Sequence, residues 1–521
     1  MKKVLAFVLI AMLTLALPMS VQASDLYDDL EPLELWILSI DNIDKTMEAP
    51  LVIDAQETLN TTFRIQLIAG DWGEYTRTLA ATDMLPDCIA WYTLGYHEYR
   101  QMAEQGILGA FPKLDKFPNL VDLYNSKDIF PYYVMPDGEL YAFPKVDNTQ
   151  PYSKVNHSLF LYRRDWSEQL GYNFAPVQDI TWDELMDYCE DVLTNDPGEQ
   201  GHNLVVFDGH GNSTFDWRNL AKQQWSPWID TFYLADDGST YLWGAEDPRT
   251  VTAIENVQWM YQKGYLYKEG YADTGYEGSA RFNAGMSAIK HGPNAGASLS
   301  GSFTNLKEAV DGFPDEGLGL FAVKQADGKY HVLQSGEYWC AWGFSANASD
   351  EVKDRFCTVA NWLLEDAQIE KYAYGVPGED FTIAADGTVT LNWVSADRVT
   401  DGPKEYINYG QYFQKWFMLE GCDLFLPNNP SVNHYAMDTL YKGYFTHIDG
   451  ENLSYFPTAN YDVALFNGPV FSQFGTFSQD LAAAFMTSII SNSMDEWDAF
   501  VASNKPYAEQ IIAELNEAYI K

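Results

Sequence analysis

Aromatic rings set among carboxylates and amides are the chemistry this sequence offers most plainly. Tyr and Trp suit surfaces that are apolar on one side and wet on the other, and the chain holds 16 Trp and 34 Tyr beside 74 acidic side chains. A sugar presents such surfaces, since its C–H face stacks on a ring while its hydroxyls find Asp, Asn or Gln. Local signatures of other chemistries do not occur: no G-x-x-x-x-G-K-[ST], no G-x-G-x-x-G after a strand, no H-E-x-x-H, no G-x-S-x-G. Glycoside hydrolysis needs only two carboxylates that meet in space, so the acidic composition leaves it open. His157, His202, His210 and His291 lack ligand-like spacing and read as surface or hydrogen-bonded groups. The segment 195–203 looks superficially like a calcium loop, but counting from Asp196 the third position is Gly198 and the ninth Leu204, so it reads as a turn.

The net charge of −42 repels phosphate backbones, anionic lipid heads and polyuronates, which excludes nucleic acid as a partner. Cys88, Cys189, Cys340, Cys357 and Cys422 form no C-x-x-C pair and read as buried small hydrophobes, with a disulfide among them left open. Lys2 and Lys3, the apolar run 4–17 and Val21-Gln22-Ala23 before Ser24 make residues 1–23 a secretion signal. That run is too short for a membrane span, so the mature chain is expected outside the cytoplasm: secreted, periplasmic or at the cell surface.

The elements that must position these groups follow from periodicity. Strands are expected at 33–40, 63–69 and 88–92, and helices at 51–60, from Asp71 with Glu74 closing a capping box, and at 96–104. Alternating strand and helix implies an α/β fold with a doubly wound parallel sheet. Ligands bind beyond the carboxyl ends of such strands, which singles out Trp72, Trp91 and Tyr92. A turn at 135–138 leads to strands at 139–143 and 157–162. Thr181 and Glu184 then box a helix whose Leu185, Tyr188, Cys189 and Val192 share a face. The stretch 208–248, with Trp217, Trp225, Trp228 and Trp243, reads as a long binding loop. Ser349 starts a helix with Val352, Phe356, Val359, Ala360 and Leu363 inward. Two helices close the chain, the first capped by Ser493 with Glu496, the second striped by Ile511, Ile512, Leu515 and Tyr519.

Several stretches together resemble the family 1 extracellular solute-binding proteins of ATP-binding-cassette importers, in particular the large carbohydrate-type members related to LipO and the alginate-binding proteins. They are YAFP at 141–144, LFLYRRDWSEQLGY at 159–172, TWDEL at 181–185, RFNAGMSAIKHGP at 281–293, NWLLED at 361–366, YGVPGEDF at 374–381 and SMDEWDAFV at 493–501. The resemblance covers most of the mature chain. It implies a two-lobed, type II periplasmic-binding-protein-like fold with a hinge: lobe 1 from 24–154 with part of 343–370, lobe 2 from 155–342 with part of 371–470, and C-terminal helices at 471–521 packing on the lobes. Such a receptor makes and breaks no bond. It acts as a monomer and hands a small-molecule ligand to permease subunits.

Carried over residue by residue, the loop after 88–90 makes Trp91 and Tyr92 ligand contacts, with Trp72 nearby. Gly292-Pro293 resembles the site of maltose-binding proteins, yet Asn294 stands where their stacking aromatic follows. Stacking is therefore expected from Trp339 and Trp342 beside the second crossing or from Trp225 and Trp228. Asp216 and Glu337 are expected hydroxyl acceptors, because a carboxylate receives two sugar hydroxyls in strong bonds. Two departures stand out. No Cys follows the signal to carry a lipid, and the family's calcium loop has decayed at 196–204, so no metal or other cofactor is expected. The expected ligand is a neutral oligosaccharide. The alternatives are a peptide, polyamine or other small cation drawn by the acidic lobes and, in another class, a secreted glycoside-active enzyme.

Overall fold

Leu35, Ile37 and Leu38 are fully buried in the first strand, Leu33–Ser39, which has a parallel neighbour on each side, Thr61–Leu67 and Cys88–Leu94. Strands covered on both faces carry such near-continuous apolar runs. The computed structural model describes residues 26–27, 29–39, 45–69, 72–94, 96–126, 129–146, 158–292, 296–334, 338–393, 402–417, 433–448, 453–457, 463, 466, 468–471 and 474–520. The chain divides into two units: Met1–Lys145 with Cys340–Phe381 and Asn392–Glu420, and Val146–Trp339 with Thr382–Leu391 and Gly421–Lys521. The expected secretion signal, 1–23, lies outside the described residues, among which no helix is long and apolar enough to cross a membrane.

In the first unit the sheet order is Thr61–Leu67, Leu33–Ser39, Cys88–Leu94, Tyr338–Ser345, Leu108–Gly109, and Ala142–Val146 also pairs with Tyr338–Ser345. Helices Pro50–Thr58, Trp72–Ala81 and Tyr96–Glu104 follow its three parallel strands in turn, giving the expected α/β alternation. Ser349 accepts from the Val352 amide and caps the helix Asp350–Leu363. From that helix the buried Arg355 donates to the carbonyl oxygens of Glu31, Leu59 and Asn60, fastening the chain on either side of the Pro50–Thr58 helix to the sheet.

The second unit is built on a sheet ordered Leu453–Pro457, Tyr330–Gln334, Leu318–Lys324, Phe160–Arg163, Ser287–His291, Val205–Gly209, with Val177–Thr181 against Leu318–Lys324. Successive strand residues point to opposite faces. Phe160 and Tyr162 accordingly join a core with Tyr188, Trp217, Met260, Phe485 and Trp497, while Leu159 and Leu161 join another with Leu299, Phe303, Met437 and Tyr441. The capping box at Thr181 and Glu184 forms, and Leu185, Tyr188, Cys189 and Val192 are buried as their spacing predicts.

Two expectations are corrected. The stretch 208–248 is not one long loop: it holds the helix Ser213–Gln224 and a hairpin of Phe232–Leu234 with Tyr241–Trp243. Its Trp217 and Trp243 are core, Trp243 against Phe477 and Phe500 from the far end of the chain, partners no local pattern discloses. The two C-terminal helices are one, Asp495–Tyr519, running through Pro506 and opened by Met494 rather than Ser493, and the separate helix before it is Phe474–Ser491. Burial of Trp497, Phe500, Ala508, Ile511 and Leu515 along its length outweighs the hydrogen bond that proline removes. Cys88, Cys189 and Cys357 are buried free thiols, while the side chains of Cys340 and Cys422 lie outside the described part.

Candidate functional site

Val205–Gly209 and Ser287–His291 run parallel in the second unit, with Asp208 opposite Lys290 and Gly209 opposite His291 at their carboxyl ends. The chain then turns through His210 and Gly211 to Asn212, whose side chain accepts from the Phe215 amide and caps the helix Ser213–Gln224. This turn folds around Asp216, in the helix's first turn. Its Oδ2 accepts from the Gly211 amide at 2.6 Å, a Cβ on Gly209 would collide with Oδ2, and one on Gly292 would lie 3.0 Å from Oδ1. Asp216 is 1 % exposed. Burial, helped by the charge of Asp208, pushes its carboxyl up to about 7, against the Gly211 and His210 amides and Lys290, which favour the ionised form. Its Oδ1 has no hydrogen-bond partner among the described residues.

Beneath the turn lies a closed ion network. Arg281 grips Asp208 with two bonds of 2.8 Å and Asp273 with bonds of 2.7 and 3.0 Å, and its guanidinium sits 4.0 Å above the Tyr267 ring. Ser213 donates to Asp273 at 2.8 Å and Ser287 to Asp208 at 3.0 Å. Burial raises Asp208 even so, while Arg281 pulls the other way. The buried Lys290 donates to Ser302 at 2.9 Å, and burial lowers it to about 8. The network fixes geometry and holds its cations on its own carboxylates and hydroxyls.

Above the turn, His210 and Tyr276 form a lip. The two rings meet edge to face at 5.7 Å, and Ser279 donates to the His210 carbonyl oxygen at 2.7 Å. Sequence reasoning passed over Tyr276 and gave His210 only a bland role. The signals were two glycine-spaced stretches, Gly209-His210-Gly211-Asn212 after a strand and Thr274-Gly275-Tyr276 before a helix.

Of the residues singled out from sequence, the structure describes the side chains of Asp216, Trp225, Trp228 and Trp342. In the first unit, the backbone sets Trp91 and Tyr92 in the strand Cys88–Leu94 and Trp72 at the start of the helix after Thr61–Leu67, while their side chains lie outside the described part, as does that of Trp339. Asn294 and Glu337 lie outside the described residues. Trp342, expected to stack on ligand, is 3 % exposed and packs on Phe356 at 4.1 Å and on Phe111 and Phe143. It is a core ring because the strand turns it towards the Asp350–Leu363 helix. Trp225 ends the Ser213–Gln224 helix, about 18 Å along from the turn at its start, and lies edge-on to Trp182. Trp228 is stacked on Tyr233 at 5.3 Å. Asp216, expected to meet sugar hydroxyls, spends one oxygen on its own turn. Asp196 likewise accepts from the amides of Gln200 and Gly201.

The sequence matches the model of a family described as bacterial extracellular solute-binding proteins over residues 52–377, more than half of the chain. No curated protein matches it. Among solved structures, the Streptococcus pneumoniae ABC-transporter substrate-binding protein FusA in complex with kestose is 15 % identical with a TM-score of 0.66, over 94 % of this chain and 99 % of that one. The alginate-binding protein AlgQ2 without calcium ion is 16 % identical with a TM-score of 0.63, over 94 % and 98 %. The N-glycan transport solute-binding protein NgtS of S. pneumoniae in complex with Man5GlcNAc is 15 % identical with a TM-score of 0.55, over 94 % and 98 %. At these identities the likeness is one of fold, the two-lobed α/β fold.

Proposed function

Because the chain belongs to the bacterial extracellular solute-binding proteins, receptors that present solutes to ABC importers outside the cytoplasm, we propose that its solute is a neutral oligosaccharide, captured by hinge closure and passed to permease subunits. A ligand that binds one arrangement of the units better shifts the population towards it. The observation that carries the ligand class is the commitment of two cations, Arg281 and Lys290, at the carboxyl ends of the second unit's parallel pair. Arg281 is taken up by Asp208 and Asp273, and Lys290 is buried on Ser302, so neither is left to pair with a uronate or phosphate. Formal charge of −42 adds repulsion of anionic ligands. Kestose and Man5GlcNAc, held by relatives of the same fold, are neutral glycans of the kind proposed.

A second reading rests on the same charge, which would draw a polyamine or basic peptide. The two separate in a thermal-shift screen of the mature chain from Ser24, with neutral glycans, alginate oligomers, spermidine and basic peptides. A ligand bound only by the native state raises the melting temperature. A rise with a neutral glycan, recovered unhydrolysed and unaffected by salt, is the expected result. Rises confined to spermidine or peptides, fading with salt, reject the sugar, and hydrolysis of the glycan rejects the receptor in favour of an enzyme.

A further inference from the structure

We infer that Tyr276, braced by His210, is the ring-stacking platform of the second unit and takes one sugar ring of the ligand. This rests on the oligosaccharide reading and assigns it a residue that neither motif nor resemblance singled out. Tyr276 is 71 % exposed, the highest value among the exposed large hydrophobic side chains of the described residues. A lone exposed aromatic needs no explanation in general. Tyr276 differs in where it stands and in how firmly it is held.

Its place is the carboxyl end of the parallel pair, where open α/β sheets bind ligands. The helix Glu277–Asn283 presses onto that end: a Cβ on Gly278 would lie 2.6 Å from the Gly209 carbonyl oxygen. The preceding loop touches the turn around Asp216, the Gly275 carbonyl oxygen lying 3.9 Å from where a Cβ on Gly211 would be. Its rigidity has three sources. Glu277 accepts from the Gly275 amide at 2.7 Å and from the Thr274 hydroxyl at 3.3 Å. Asp273, earlier in the same loop, is locked to Arg281 and Ser213. The Tyr276 ring itself meets His210 at an interplanar angle of 71°, and the Ser279 hydroxyl, 3.2 Å from His210 Nδ1, holds that imidazole.

Edge-to-face contact with His210 takes up at most one of the two faces of Tyr276, and the side chain remains 71 % exposed. A free aromatic face receives the C–H groups of a sugar ring. A ring ordered before binding adds little further entropy cost when ligand arrives.

The test is calorimetric titration of the mature wild-type chain, Y276A and Y276F with kestose, nystose and Man5GlcNAc, and with spermidine as a cation probe. For a glycan the wild type binds, Y276A should weaken affinity by about tenfold, Y276F should stay within about threefold, and all three proteins should melt alike because the ring is solvent-facing. Equal affinities of wild type and Y276A for that glycan overturn this inference and leave the oligosaccharide reading standing. Binding of spermidine alone, lost in Y276A, makes the ring a cation–π surface and overturns both, as does a wild type that binds no glycan.

Discussion

Gly209 and Asp216 occupy each other's space: any side chain at 209 would collide with the Asp216 carboxylate, and the carboxylate keeps its place because Gly211 donates to it at 2.6 Å. Strand pairing with His291 on one side and Gly278 against the Gly209 carbonyl on the other leave the backbone no direction in which to yield.

G209A should therefore destabilise the protein by about 2–4 kcal/mol, an overpacking cost at the upper end of its kind. Urea unfolding followed by tryptophan fluorescence measures it. A loss below about 0.5 kcal/mol would mean that the turn around Asp216 is looser than its contacts indicate.

Asp216 makes stability depend on pH with a defined sign. Its folded value, about 7, lies above the ordinary carboxyl value of about 3.9, so the fold favours the protonated form. That contribution is complete below about pH 4, drains away as pH rises to about 7, and is constant beyond. D216N has no proton to lose there. The melting temperature of D216N minus that of the wild type should climb from pH 4 to 7 and then level off, whereas a difference independent of pH would rule out a buried ionisation at this position.

Arg281 joins two buried carboxylates, and R281M leaves both uncompensated at a predicted cost of about 3–5 kcal/mol. R281K should fall between R281M and wild type, since an ammonium keeps the charge but lacks the planar fork that serves Asp208 and Asp273 together. Unfolding midpoints in urea rank the three. An R281M as stable as R281K would show that charge, not the fork, is immaterial to the loop carrying Tyr276.

Trp342 tests the division between core and ligand residues. W342A should cost about 3–5 kcal/mol, as truncation of a buried aromatic does, while W342F keeps most of the packing on Phe356 and leaves glycan affinity unchanged. Affinity lost in W342F at an unchanged melting temperature would return Trp342 to the ligand site.

What sequence discloses here is what neighbours in the chain decide. Tyr96–Glu104 is helical over the span its spacing predicts, Thr181 and Glu184 cap each other across three residues, Ser349 starts its helix, and Gly138 closes the turn on Met135 at 2.9 Å. Distance in the chain hides the rest. Trp243 looks like a loop residue until Phe477 and Phe500 arrive, and the closing segment reads as two helices until a buried stripe on either side of Pro506 carries one helix through it. Asp216 draws attention by type, but the three glycines that enclose it come from two strand ends. Tyr276 escaped because exposure has no local signature, being set by what the rest of the chain leaves uncovered.

The helix Asp495–Tyr519 closes a unit that opens at Val146. Its Trp497 donates to the Ala245 carbonyl oxygen, 252 residues earlier, and its Asn516 accepts from the Tyr241 amide, 275 residues earlier. At ribosomal speeds of roughly 5–20 residues per second, the hairpin waits on the order of 10–50 s for the helix that covers it. Until then Trp243 lacks Phe500, one of the two rings it packs on. Order of synthesis thus leaves this corner of the unit open until residues hundreds of positions away arrive to close it.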